Sequence, residues 1–170
     1  IYALADCKFE EVKVDANCVS EYEYLMTLDL VIKSNVVKNE YKEQIALMTL
    51  LGFRGGLRNN EAHGILSRDI LISDIIEMII KPNHNRPLKS DASKRCVRVL
   101  EALSEMEVVI INRWQKLLSS ENKPDVLASA LTCYSWDQRD VIDRGEATRI
   151  IHTCLRLVTG DSSLRFHHFR

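Results

Sequence analysis

At 170 residues, 46% of them hydrophobic and 28% charged, the chain is long enough to bury one sizeable core and reads as a single domain. Its formal net charge of −1 excludes a protein that coats nucleic acid indiscriminately, because that needs a broad basic surface. No apolar run approaches the length of a bilayer span, and no charged segment followed by an apolar one opens the chain, so we expect no membrane association. The cysteines, Cys7, Cys18, Cys96, Cys133 and Cys154, are odd in number, scattered and without a C-x-x-C pair. They read as reduced thiols rather than a disulfide frame or a zinc site.

Residues 1–17 are acidic and weakly alternating, a lead-in with one short strand at most. A helical pattern begins at Val19, with Ser20 as N-cap and Glu23 completing a capping box; Tyr24, Leu25, Leu28, Val31 and Ile32 supply its apolar side. A second helix is expected from about Glu40 to Leu51, its pattern broken by Gly52, Gly55 and Gly56. Asn59 or Asn60 is placed to cap a short third helix. The isoleucine-rich runs Asp69–Ile72 and Ile75–Ile80 suit strands, and Cys96–Val99 can return as a third after the turn punctuated by Pro82, Asn83, Asn85 and Pro87. Helical periodicity resumes near Leu103 with the stripe Met106, Val109, Ile110, Trp114, Leu117 and Leu118. Further helices are expected over Val126–Tyr134 and Arg144–Val158, the last stopped by Gly160. The fold class is therefore α+β, mainly α, with one small antiparallel sheet.

Two features of this layout point to chemistry. Arg58 stands at the mouth of a turn between two apolar segments, and Glu61 falls in the first turn of the following helix, where a carboxylate is favoured. A guanidinium pinned between anchored elements suits bidentate recognition of a phosphate; its plainer use is to satisfy the last carbonyls of the preceding helix. From Lys81 to Arg98, six basic residues, Lys81, Arg86, Lys89, Lys94, Arg95 and Arg98, stand against Asp91 alone, a local +5 that leaves −6 for the rest of the chain. Such a basic hairpin is either a nucleic-acid contact or a solvated surface.

The order GLR-x-x-E-x-x-x-(I/L)-L-x-x-D-I around Arg58 resembles the first conserved box of the tyrosine recombinases, the phage-integrase family. KSDASKRCVRV, from Lys89, is similar to the family's basic hairpin, although Arg98 stands where proline is usual. The closing LRLVTGDSSLRFHHFR resembles the approach to the H-x-x-R box, with His167 and Arg170 in the named places. The resemblance implies the helical catalytic core of that family. It implies site-specific recombination or integration of double-stranded DNA by transesterification through a 3′-phosphotyrosyl intermediate, with no metal or nucleotide cofactor. Arg58, Lys89, His167 and Arg170 would be catalytic and Glu61 supporting; Lys81, Arg86, Lys94 and Arg95 would touch DNA. Lys81 competes with Lys89 for the lysine's role, and the residues that follow favour Lys89.

In the family, a third box and the nucleophilic tyrosine follow H-x-x-R, whereas Tyr2, Tyr22, Tyr24, Tyr41 and Tyr134 all precede it. The chain is thus expected to be a partial catalytic domain, 1–170, excised from a longer polypeptide, inactive alone, without the N-terminal DNA-binding domain. Its parent would act with further protomers in a synaptic complex, in the cytoplasm, and on the nucleoid if bacterial. The rival readings are a non-catalytic recombinase-like module that binds DNA or a partner protein, and a helical interaction domain with accidental motif matches. His63, His152, Trp114 and Trp136 are read as helix and packing residues.

Overall fold

The computed structural model describes residues 18–73, 75–83, 86–88, 90, 93–99, 102–118 and 142–169. The lead-in, the expected helix over Val126–Tyr134, Lys89 and Arg170 lie outside these residues.

Local chemistry starts α1, Glu21–Lys33, as the sequence suggests. The Glu23 carboxylate accepts from the Ser20 backbone N–H at 2.8 Å while Ser20 Oγ accepts from Glu23 N–H. A 3₁₀ turn, Asn39–Tyr41, leads into α2, Lys42–Gly55. α2 is the central element. Every residue from Gln44 to Gly52 is buried, and α1, α4 (Glu105–Leu118) and α5 (Arg144–Thr159) pack around it.

The expected break of α2 at Gly52 does not occur. The helix runs through Gly52 and Gly55 and ends at Gly56, whose φ of 55° is the left-handed conformation that glycine takes at little cost. Gly52 and Gly55 have a packing reason: a Cβ on Gly52 would stand 2.6 Å from Cζ of Phe166, and one on Gly55 the same distance from Cε of Met78.

The short α3 spans Asn59–His63, and its N-cap is Arg58 rather than an asparagine. After a 3₁₀ turn, Ser67–Asp69, the strands β1 (Ile70–Ile72), β2 (Ile76–Ile80) and β3 (Arg95–Val99) form an antiparallel sheet in that order. Ile70 faces Met78, and Glu77 faces Arg98, whose Nε donates to the Glu77 carboxylate at 2.6 Å. Arg98, standing where the family pattern has proline, is thus an exposed cross-strand partner.

α4 opens on a second capping box, Ser104 with Glu107. α5 has Asp143 as N-cap and ends at Gly160, φ 72°. The last element, Phe166–Phe169, is a 3₁₀ turn. Its phenylalanines enter the core: Phe169 meets Tyr24 and Phe53 edge-on, while Tyr24 and Phe53 stack at 4.0 Å. None of the described helices is long and apolar enough to cross a membrane.

Candidate functional site

Arg58 follows directly from the end of α2. Leu57 is fully buried behind it, and its N–H reaches back to the Leu51 carbonyl, so the backbone at Arg58 is fixed from the core side. From the other side, Oε2 of Glu61 accepts the Arg58 backbone N–H at 2.8 Å. The guanidinium is half exposed, and Nη1 donates to Oε1 of Glu61 at 3.1 Å. It lines a cleft of about 530 Å³ with Asn59, Asn60, Glu61, Pro87 and Leu88. Leu88 immediately precedes Lys89.

Glu61 is the hub of this cleft. Arg95, on β3, donates from both Nη atoms to its two oxygens, at 2.9 and 2.8 Å. Burial alone would raise the Glu61 pKa, but these bonds and those from Arg58 outweigh it and hold the carboxyl at about 2.

Two residues expected to touch DNA have different placements. The Arg86 side chain is fully buried, donating to the carbonyls of Lys81 and Glu61, with the buried Asp69 carboxylate 3.8 Å away. It braces the base of the hairpin from inside. Arg95 is two-thirds buried and occupied with Glu61. Lys94 is exposed; Lys81 is partly exposed, its ammonium 2.9 Å from Asp69. A count of basic residues along the hairpin cannot reveal these facing carboxylates, because Glu61 and Asp69 come from another stretch of chain.

A second basic surface lies elsewhere. Gly145, Thr148, Arg149, His152, Thr153 and Arg156 recur along α5 at three- and four-residue steps, opposite the buried Ala147, Ile150, Ile151, Cys154 and Leu155. With Arg144, Ser162 and Arg165 they line a groove of about 650 Å³ that begins at Asn59 and Asn60. Asn59 Nδ2 donates to Thr148 Oγ1 and Arg144 Nη1 to Asn60 Oδ1, each at 2.7 Å, so α5 is stitched to the helix that Arg58 caps. Burial, followed by the nearby charges of Arg165, His167 and His168, lowers the His152 pKa. Its ring accepts the Phe166 N–H at 3.0 Å. His167 is exposed, its ring 4.0 Å from that of His168. Sequence reading found α5 but not this face; the signal was three arginines and a histidine, Arg144, Arg149, His152 and Arg156, along a run searched only for its core.

The helical body bearing a three-stranded antiparallel sheet between α3 and α4 is a fold shared with solved tyrosine recombinases. The chain is similar to the XerH site-specific recombinase, solved bound to difH substrate as a pre-cleavage complex, with a TM-score of 0.61 and 11% identity over 90% of this chain and 40% of that one. It is also similar to the XerA recombinase, with a TM-score of 0.54 and 16% identity over 89% of this chain and 47% of that one. At these identities the likeness is one of fold, and the chain spans less than half the length of either recombinase. No protein-family model and no curated protein matches the chain.

Proposed function

We propose that this chain is the phosphate-handling part of a tyrosine-type site-specific DNA recombinase. The observation that carries the reading is a half-exposed arginine, fixed at backbone and side chain, in a cleft that continues into an arginine-lined groove. A groove whose charged lining residues are all basic suits a polyanionic duplex, whose affinity comes mainly from its phosphates.

In this proposal a tyrosine that follows Arg170 in the parent polypeptide attacks phosphorus, leaving a 3′-phosphotyrosyl bond and releasing the 5′ oxygen. Lys89, which follows the cleft-lining Leu88 in sequence, protonates that oxygen. Arg58 and Arg170 neutralise charge growing on the equatorial oxygens, and His167 takes the phenol proton as the tyrosine's bond to phosphorus forms. A second strand's 5′ hydroxyl then reverses the reaction, in a complex with further protomers. Tyr24 does not suit the nucleophile's role: its buried hydroxyl donates to Glu107 at 2.7 Å, and burial with that neighbouring carboxylate pushes its pKa far above the usual phenol value.

The test is Arg58→Lys in the parent polypeptide, assayed by single-turnover cleavage of a nicked suicide duplex. Lysine keeps the charge but loses the planar fork, so cleavage should fall about 100- to 1000-fold, roughly 3–4 kcal/mol, with fold and most DNA binding retained. Near-normal cleavage would overturn the reading. Proportionate loss of melting temperature, binding and cleavage would make Arg58 a structural cation.

A further inference from the structure

We propose that Arg95 is a positioning residue for Arg58: by occupying both oxygens of Glu61 it prevents that carboxylate from closing on the Arg58 guanidinium. The inference rests on the phosphate-handling role proposed above for Arg58. Each Glu61 oxygen is shared. Oε2 accepts from Arg58 N–H and Arg95 Nη2, both at 2.8 Å, while Oε1 accepts from Arg95 Nη1 at 2.9 Å and from Arg58 Nη1 at 3.1 Å. Arg58 therefore spends one side-chain donor on Glu61. Its Nε and Nη2 make no hydrogen bond among the described residues and remain available to a phosphate in the cleft.

Without the Arg95 fork, Glu61 is a nearly buried carboxylate with Arg58 as its remaining side-chain partner. A planar guanidinium and a carboxylate in that position close into a bidentate pair. Such a pair consumes two Arg58 donors and cancels its charge, so the clamp loses its grip while the fold keeps its shape. Arg95 also comes from β3, the returning strand of the basic hairpin, so the same contact joins that strand to the Arg58 turn.

The variants are Arg95→Met, which keeps the bulk and removes the fork, and Arg95→Met combined with Glu61→Gln. The amide still accepts the Arg58 backbone N–H but carries no charge to draw the guanidinium in. Two readouts are needed, cleavage of the nicked suicide duplex by the parent polypeptide and binding of inorganic phosphate by this chain, followed at the Arg58 Nε–Hε resonance. Arg95→Met should slow cleavage about 100-fold, the scale of a small misplacement of a reacting group, and weaken phosphate binding at Arg58. The double variant should recover most of both losses. A merely structural Arg95 predicts the reverse, because removing Glu61 as well destabilises further and rescues nothing. An Arg95→Met variant as active as the unaltered protein, or a double variant no better than the single, overturns the inference. If the unaltered parent fails to cleave, the recombinase reading falls on its own, and the phosphate titration still decides the role of Arg95.

Discussion

The ring of Phe166 stands against Gly52 so closely that a Cβ there would lie 2.6 Å from Cζ. This contact joins the turn carrying His167 to α2, the helix that leads into Arg58. The backbone N–H of Val19 closes the same turn from outside, donating to the His168 carbonyl at 2.9 Å. Phe166 cannot step aside freely, because it is 2% exposed and meets Phe169 edge-on at 5.4 Å. Gly52→Ala should gain about 0.5–1 kcal/mol in helix propensity but lose about 1–3 kcal/mol to overpacking. We expect a net fall in melting temperature, relieved in Gly52→Ala/Phe166→Leu. A stabilised Gly52→Ala would show that the ring has room to move.

Gly52 also shows where sequence reading succeeds and where it stops. The Ser20–Glu23 box, the three strands and the Gly160 stop depend on neighbours in sequence, and their patterns are legible there. A glycine required by a ring 114 residues away looks only like a helix breaker. The carboxylates that face Arg86 and Arg95, Asp69 and Glu61, are hidden from the sequence for the same reason: they belong to another stretch. The α5 arginines were legible as spacing. What the spacing does not supply is the stitching by Asn59 and Asn60 that sets this stripe beside Arg58.

Arg54 and Glu107 form a buried pair, Nε to Oε1 at 2.7 Å, extended by the Tyr24 hydroxyl and by Glu21 at the surface. Removing one member leaves an uncompensated buried charge, so Glu107→Ala should destabilise by about 3–5 kcal/mol. Acid should act on the same group. Burial would raise the Glu107 pKa, but the bonds from Arg54, Ser104 and Tyr24 outweigh it and bring it below 4.5. A folded-state pKa below the unfolded one contributes stability above the unfolded value, and this is lost as pH falls through the folded one. Glu61, at about 2, adds to the loss in the same direction. Melting temperature should therefore drop between about pH 4.5 and 2. The gap between the unaltered chain and Glu107→Gln should narrow over that window; a constant gap would refute the assignment.

Arg86 offers a direct separation of structural from DNA-facing arginines. Its truncation to alanine removes the donors to the Lys81 and Glu61 carbonyls and leaves the buried Asp69 short of a cation. Asp69 keeps the Lys81 ammonium at 2.9 Å, so the main loss is the carbonyls left without donors, and we expect destabilisation of about 1–3 kcal/mol. For the fraction that remains folded, the salt dependence of duplex binding should be unchanged. A shallower slope with an unchanged melting temperature would return Arg86 to the DNA surface.

The arginine stripe of α5 should behave in the opposite way. Arg149 is 71% exposed at its side chain, 3.9 Å from Glu146, and Arg156 is exposed one turn beyond His152. Neither supports the core, so Arg149→Ala/Arg156→Ala should melt within about 0.5 kcal/mol of the unaltered chain, as substitutions at exposed positions usually do. If both side chains meet phosphates, each neutralised phosphate contributes about 0.9 to the slope of log affinity against log salt. The double variant should therefore show a slope shallower by about 2, equally on duplexes of unrelated sequence. With a net charge of −1, binding by the unaltered chain is expected to be weak, so the titration belongs at about 50 mM salt, where counterion release is most favourable. Loss of affinity on one duplex sequence alone would assign these arginines to base edges instead of phosphates. An unchanged slope and affinity would leave the groove unoccupied by DNA and remove the groove from the observation that carries the proposed function.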